Sequence, residues 1–217
     1  CSNSQSRYSG DGSGQVKVVL AFLPLKNINQ TSKALINLLN NSEDLGYDKR
    51  FSDQYIVVSI NSKKTNNPKK EINDAVIEAN DEGKDVLVLS GKQCHMAATI
   101  EECDTVLLLN DITSYDMIKQ MMYRSMSPQP NKKFGFVVDL SLDRVLDTVV
   151  SEFASNLYSS SMSRKEALKY ILLAKIVNIN ADTWIYNSGD HHEQITKIAE
   201  KLDNLYISNG YHSILRN

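Results

Sequence analysis

The run VLVLSGKQCHMAATIEECDTVLLLND, Val86 to Asp111, holds two short apolar stretches, Val86 to Leu89 and Thr105 to Leu109, divided by a more polar segment. Each stretch is nearly continuous in Val and Leu instead of alternating with polar residues, which is the pattern of a strand covered on both faces, as in a parallel sheet. Parallel neighbours need crossover connections, and a helix commonly supplies them. Helical periodicity should therefore appear between strands elsewhere in the chain.

Working outward, it does. Val16 to Phe22 is a β-branched, apolar run stopped by Pro24. It is followed by a helix that Thr31 or Asn29 can cap, with Ala34, Leu35, Leu38 and Leu39 at spacings of three and four. Tyr55 to Ile60 reads as a strand, Asn61 to Lys70 as a polar loop, and the helix after Pro68 places Ile72, Ala75, Val76 and Ala79 on one face before stopping at Gly83. Phe134 to Val138 supplies a fifth strand. The expectation is an α/β fold, a parallel sheet with flanking helices, over residues 16–150.

From Ser151 onward strand signals fade. Ser163 to Asn180 and Asp190 to Tyr206 read as amphipathic helices around a Trp184-containing turn, a helical extension over residues 151–217. Ser159-Ser160-Ser161 marks the joint, since hydroxyl residues favour turns and caps. Residues 1–15, rich in Ser, Gly and Asn, read as a disordered lead-in or linker, and the opening Cys-Ser-Asn-Ser reads as that of a fragment.

Composition narrows the function classes. A net charge of −2 excludes a binder that works by bulk positive charge, though a local groove can still be basic. No apolar run approaches the roughly 20 residues of a membrane span. Cys1, Cys94 and Cys103 form neither a CxxC pair nor an even set, which fits a reducing, intracellular setting.

Ligands of open parallel sheets gather beyond the carboxyl ends of the strands. Two such segments stand out. Ser90-Gly91 follows one strand, and Asn110-Asp111 follows the next and leads into a helix where Asp116, Gln120 and Arg124 recur every four residues opposite Met117, Ile118, Met121 and Met122. A Gln amide can orient a nucleotide and an Arg guanidinium can grip phosphate oxygens in fork geometry. A solvated face with i,i+4 pairing accounts for the same spacing. His191-His192-Glu193 lacks the HExxH spacing of a zinc site, and Cys94-His95 lacks an acid partner. Lys63-Lys64 and Lys69-Lys70 flank a polar loop that is either solvated or in touch with a phosphate backbone.

The order strand, Ser90-Gly91 loop closing in Cys103-Asp104, strand, Gln120-to-Arg124 helix, strand resembles motifs V and VI of superfamily 2 helicases. Val18 to Leu25 with Thr31-Ser32 is similar to motif IV. Gln120 to Arg124 followed by Lys133-Phe134-Gly135-Phe136-Val137-Val138-Asp139-Leu140 looks like helicases of large DNA viruses. The resemblance spans roughly residues 16 to 146.

It implies a second RecA-like helicase domain in which Gln120 and Arg124 act on ATP, Gly91 joins them at the nucleotide, and Thr31, Ser32, Ser90 and Gly91 approach the backbone of DNA or RNA. The sequence holds no GxxxxGK[ST] and no Asp-Glu pair after a strand. ATP and Mg²⁺ would then be held mainly by an N-terminal RecA-like domain absent from this chain, which alone should not turn over ATP. For a viral protein the setting would be host cytoplasm or virion.

Three departures matter. Ser127 stands where the family has a second Arg, Ala97 where it has a Gly, and Gly91 where it has a Thr. The missing Arg would normally stabilise charge on the transferred phosphate, so the alternative is a degenerate helicase-like domain serving as an interaction or packaging scaffold. A stand-alone nucleotide-binding or flavodoxin-like module is disfavoured, because no glycine-rich loop follows the first strand.

Overall fold

In the computed structural model, the apolar runs become five strands: β1 (Val18–Phe22), β2 (Tyr55–Ile60), β3 (Asp85–Ser90), β4 (Cys103–Leu108) and β5 (Phe136–Asp139). The structure describes residues 16–41, 51–60, 67–91, 94, 100–129, 132, 135–141, 144–145, 154, 162–174 and 191–214. The expected lead-in, the Ser159 to Ser161 joint and the Trp184 turn lie outside them. The sheet has the order β2-β3-β1-β4-β5 and every pairing is parallel. β1 is central and buried along its whole length, as a strand covered on both faces must be.

Strand edges differ from the sequence reading by a residue or two. β3 begins at Asp85 because its carboxylate accepts the Lys17 backbone N–H at 2.9 Å, tying its first residue to the chain entering β1. β5 begins at Phe136, beside Thr105 of β4.

Helix α1 (Ile28–Asn40) starts earlier than expected. Neither Thr31 nor Asn29 caps it. Asn27, in the left-handed region at φ 58°, turns the chain, and its carbonyl accepts the N–H groups of Gln30 and Thr31. The buried stripe is rotated accordingly. Ile28, Leu35, Ile36 and Leu39 pack on Val19, Ala21, Leu23, Leu87 and Leu89, whereas Ala34 is exposed and Leu38 is 55 % exposed. Helix α2 (Pro68–Glu82) follows its signals: Asn67 accepts the Lys70 N–H, Pro68 opens the first turn, and Gly83 at φ 67° ends it. Its Ile72, Ala75 and Ala79 are buried.

Helix α3 (Tyr115–Met122) is shorter than the Gln120-to-Arg124 reading requires, because a 3₁₀ turn, Tyr123–Met126, replaces its end. The chain leaves β1 toward β2 and leaves β3 in the opposite direction across the sheet toward β4. In open α/β sheets, such a reversal between neighbouring strands marks the carboxyl edge where ligands gather.

The chain divides into two compact units, residues 1–140 and 141–217. The second contains α4 (Arg164–Ala174) and α5 (His191–Ile214), the latter running past the expected end at Tyr206. A reciprocal cap starts α4: the Ser163 N–H donates to the Glu166 carboxylate at 2.8 Å and the Glu166 N–H to the Ser163 hydroxyl at 3.3 Å. Ala154, Ala167, Leu168, Ile171, Ala199 and Leu202 form its core.

Candidate nucleotide and nucleic-acid site

Phe22, Ser90 and Leu108 stand level at the carboxyl edge of the sheet. Ser90 is fully buried there. Its hydroxyl oxygen accepts the Cys94 N–H at 3.3 Å and its carbonyl accepts the Leu23 N–H at 2.8 Å, so the strand end is knitted to both departing loops. Gly91 is also buried, and a Cβ there would run into Cδ1 of Ile28, which shows how closely the start of α1 approaches this loop. Ser32 is 2 % exposed and its hydroxyl hydrogen-bonds that of Ser59 on β2 at 2.8 Å. Thr31 is half-buried. Two of the four residues expected at a nucleic-acid backbone therefore turn their hydroxyls into the fold.

At the end of β4, Asn110 is 7 % exposed; its amide oxygen accepts the Ile112 N–H and its amide nitrogen points at the Met121 sulfur, 3.4 Å away. This local ring of contacts sets where α3 begins and where its buried Ile118 and Met121 lie, with Met117 and Met122 half-buried beside them. The expected apolar side holds. Gln120 is exposed on the opposite side.

Arg124 does not continue that polar stripe, because the 3₁₀ turn changes the angular step per residue. It is half-buried. The turn carrying it lies beside Gly135, just before β5, level with the start of β4, not its end. Between Asp104 and Leu108 that is roughly 13 Å along the sheet from the edge where Ser90 sits. The Arg124 charge nevertheless reaches Cys94, which follows the Ser90 loop. Burial pushes the Cys94 thiol up, while the Ser90 hydrogen bond and the Arg124 charge pull it down.

Ser127, where the family has its second Arg, is 7 % exposed and donates its hydroxyl to the Arg124 carbonyl at 3.3 Å. An arginine at this closed position would have to displace its surroundings. Cys94 is 3 % exposed and burial raises its thiol pKa, the opposite of the environment that activates a nucleophilic cysteine. His95, Ala97 and Lys63-Lys64 lie outside the described residues. Lys70 pairs with Asp74 at 3.2 Å on the exposed face of α2, and Glu193 pairs with Lys197 on α5. Among the described residues no group of three His, Cys, Asp or Glu is placed to hold a metal ion, and no helix is long and apolar enough to cross a membrane.

Sequence reasoning missed two features. Lys119 lies over the rings of Tyr115 and Tyr123 at 5.8 and 5.7 Å, a four-residue spacing that was readable. Lys132 donates to the carbonyls of Glu101 and Cys103 at 3.2 and 3.1 Å, and burial lowers its pKa; beside it, burial and the Asp104 charge push Cys103 up to about 12. That contact joins residues about thirty apart and leaves no local signal.

No family model and no curated protein matches the chain. A solved structure titled as the C-terminal part of the Fun30 ATPase domain is similar to it, with a TM-score of 0.37 and 14 % identity over 66 % of this chain and 48 % of that one. The chain thus spans about half the length of that structure. So slight a likeness transfers no activity. What the strands and helices define by themselves is a five-stranded parallel α/β domain followed by a helical unit.

Proposed function

We propose that this chain is the second motor domain of an ATP-dependent nucleic-acid helicase or translocase, with ATP and Mg²⁺ held mainly by a first RecA-like domain outside these residues. The observation that supports it is a half-buried Arg124 whose charge acts on Cys94, the residue whose N–H is held by the Ser90 hydroxyl at a strand's carboxyl end. In such a motor Arg124 reaches across the domain cleft to phosphate oxygens, where a fixed positive charge in a partly desolvated site stabilises the charge that develops on transfer. Gln120, exposed one turn earlier, orients the nucleotide. Backbone groups at Gly91 and the Thr31 hydroxyl position DNA or RNA, with Ser32 and Ser90 shaping the surface beneath them.

A second reading, a helicase-like scaffold without ATPase activity, draws on the buried Ser127 and its hydrogen bond to the Arg124 carbonyl. One experiment separates the two. In the full-length protein, Arg124→Ala should lower nucleic-acid-stimulated ATPase by about 10- to 1000-fold while thermal melting stays close to wild type. Unchanged turnover at unchanged melting would reject Arg124 as a phosphate contact, and a wild-type protein without nucleic-acid-stimulated turnover would favour the scaffold.

A further inference from the structure

The turn that presents Arg124 is held by contacts that the motor reading leaves unused. Ser125, its neighbour, is fully buried and donates its hydroxyl to the Met122 carbonyl at 2.9 Å, while Ser127 donates to the Arg124 carbonyl at 3.3 Å. Against this turn lies Gly135, the residue just before β5. A Cβ at Gly135 would fall on the Ser125 carbonyl oxygen, 2.7 Å from its carbonyl carbon and 3.0 Å from its hydroxyl. The first two obstacles are backbone, so no rotamer change relieves them; the turn itself would have to move.

Register explains why the fit is so close. Phe136 pairs with Thr105, so Gly135 sits where the chain entering β5 passes the start of β4, and the 3₁₀ turn packs against β4 at the same level. Two chain segments and a turn share a space that only a residue without a side chain allows. The turn is pinned from its far side as well, since the Met121 that precedes it is buried against Asn110.

We propose that Gly135 is the positioning residue for Arg124: its missing side chain lets the 3₁₀ turn settle at the depth from which, in the assembled motor, the guanidinium reaches the phosphates of ATP. This rests on the motor reading above. Displacing the turn by a methyl group's width moves the guanidinium by a distance of the order that costs about 100-fold in rate when a catalytic group is misplaced.

The test is a double-mutant cycle on the full-length protein, reading kcat and KM of nucleic-acid-stimulated ATPase with melting temperatures alongside. Gly135→Ala should lower kcat by between about 10- and 100-fold. In an Arg124→Ala background the same change should have no further effect, because a residue that acts only through Arg124 has nothing left to position. A second loss multiplied onto the first, or full turnover by folded Gly135→Ala, would overturn the proposal. Should Gly135→Ala fail to fold, Ser125→Ala perturbs the same turn more mildly; its smaller loss must likewise vanish without Arg124. Arg124→Ala at the wild-type rate overturns the role that the motor reading gives Arg124, and absent turnover in the wild type overturns the motor reading itself; both are visible without the cycle and distinct from its failure.

Discussion

The sheet unit and the helical unit reach stability by different means. In the first, the Val, Leu and Phe residues of the neighbouring strands β1 and β3 are buried, and Leu20, Phe22, Leu89 and Ile60 have at most 1 % of their surface exposed. In the second, three of the six clustered core residues among those described are alanines, and ionic contacts flank them: Arg164 with Asp203 at 3.5 Å, and Lys165 with Glu200. Alanines let helices approach closely but remove little apolar area from water, so each contact contributes less. A parallel sheet thus offers a rigid platform for a site, and the helical unit is expected to respond to solvent conditions first.

The sharpest test is a cavity in the platform. Leu89→Ala removes a fully buried side chain from the layer between β3 and α1 and should cost about 2–5 kcal/mol in urea unfolding followed by far-ultraviolet circular dichroism. A loss below about 1 kcal/mol would mean the sheet is packed more loosely than its burial indicates.

A smaller effect is expected in the second unit. Ala199→Leu crowds a fully buried alanine of α5 and should destabilise by about 1–3 kcal/mol. Urea unfolding followed by far-ultraviolet circular dichroism reads the change. If Ala199→Leu stabilises instead, the alanine contact is underfilled and the contrast between the units weakens.

The smallest effect is one of pH. The Lys165 hydrogen bond and charge hold Glu200 below its ordinary value of 4.5, and the Ser163 backbone and hydroxyl do the same for Glu166. Folded-state values that are depressed give stability that is present above 4.5 and fades as pH falls through them. The urea midpoint should therefore shift to lower denaturant below that pH. High salt should weaken the exposed Lys165–Glu200 pair and leave the Ser163–Glu166 cap largely intact. An acid shift that survives Glu166→Gln combined with Glu200→Gln would assign it to other groups.

Much of the candidate site was visible along the chain: Ser90, Gly91, Gln120 and Arg124 were singled out from strand ends and helix spacing alone. Their surroundings were not. Ser32 and Ser90 belong to residue types that usually face water, and only the approach of Ser59 and the Cys94 segment turns them inward. The Asp116-Gln120-Arg124 row presumed an α-helix that continues, whereas packing against β4 and Gly135 tightens its end into a 3₁₀ turn.

The sequence by itself determined the parallel strands, the crossover helices and the ends of α2, because continuous apolar runs, Pro68 and Gly83 act over a few residues and need no distant partner. Tertiary structure alone decided which stripe of α1 is buried, which hydroxyls are spent inside, and the depth at which Arg124 sits. Those depend on segments that meet only when the sheet closes: Ile28 over Gly91, Ser32 against Ser59, and Ser125 under Gly135. Local periodicity carries the preference of each element for water or core, and only the fold brings together the atoms that use it.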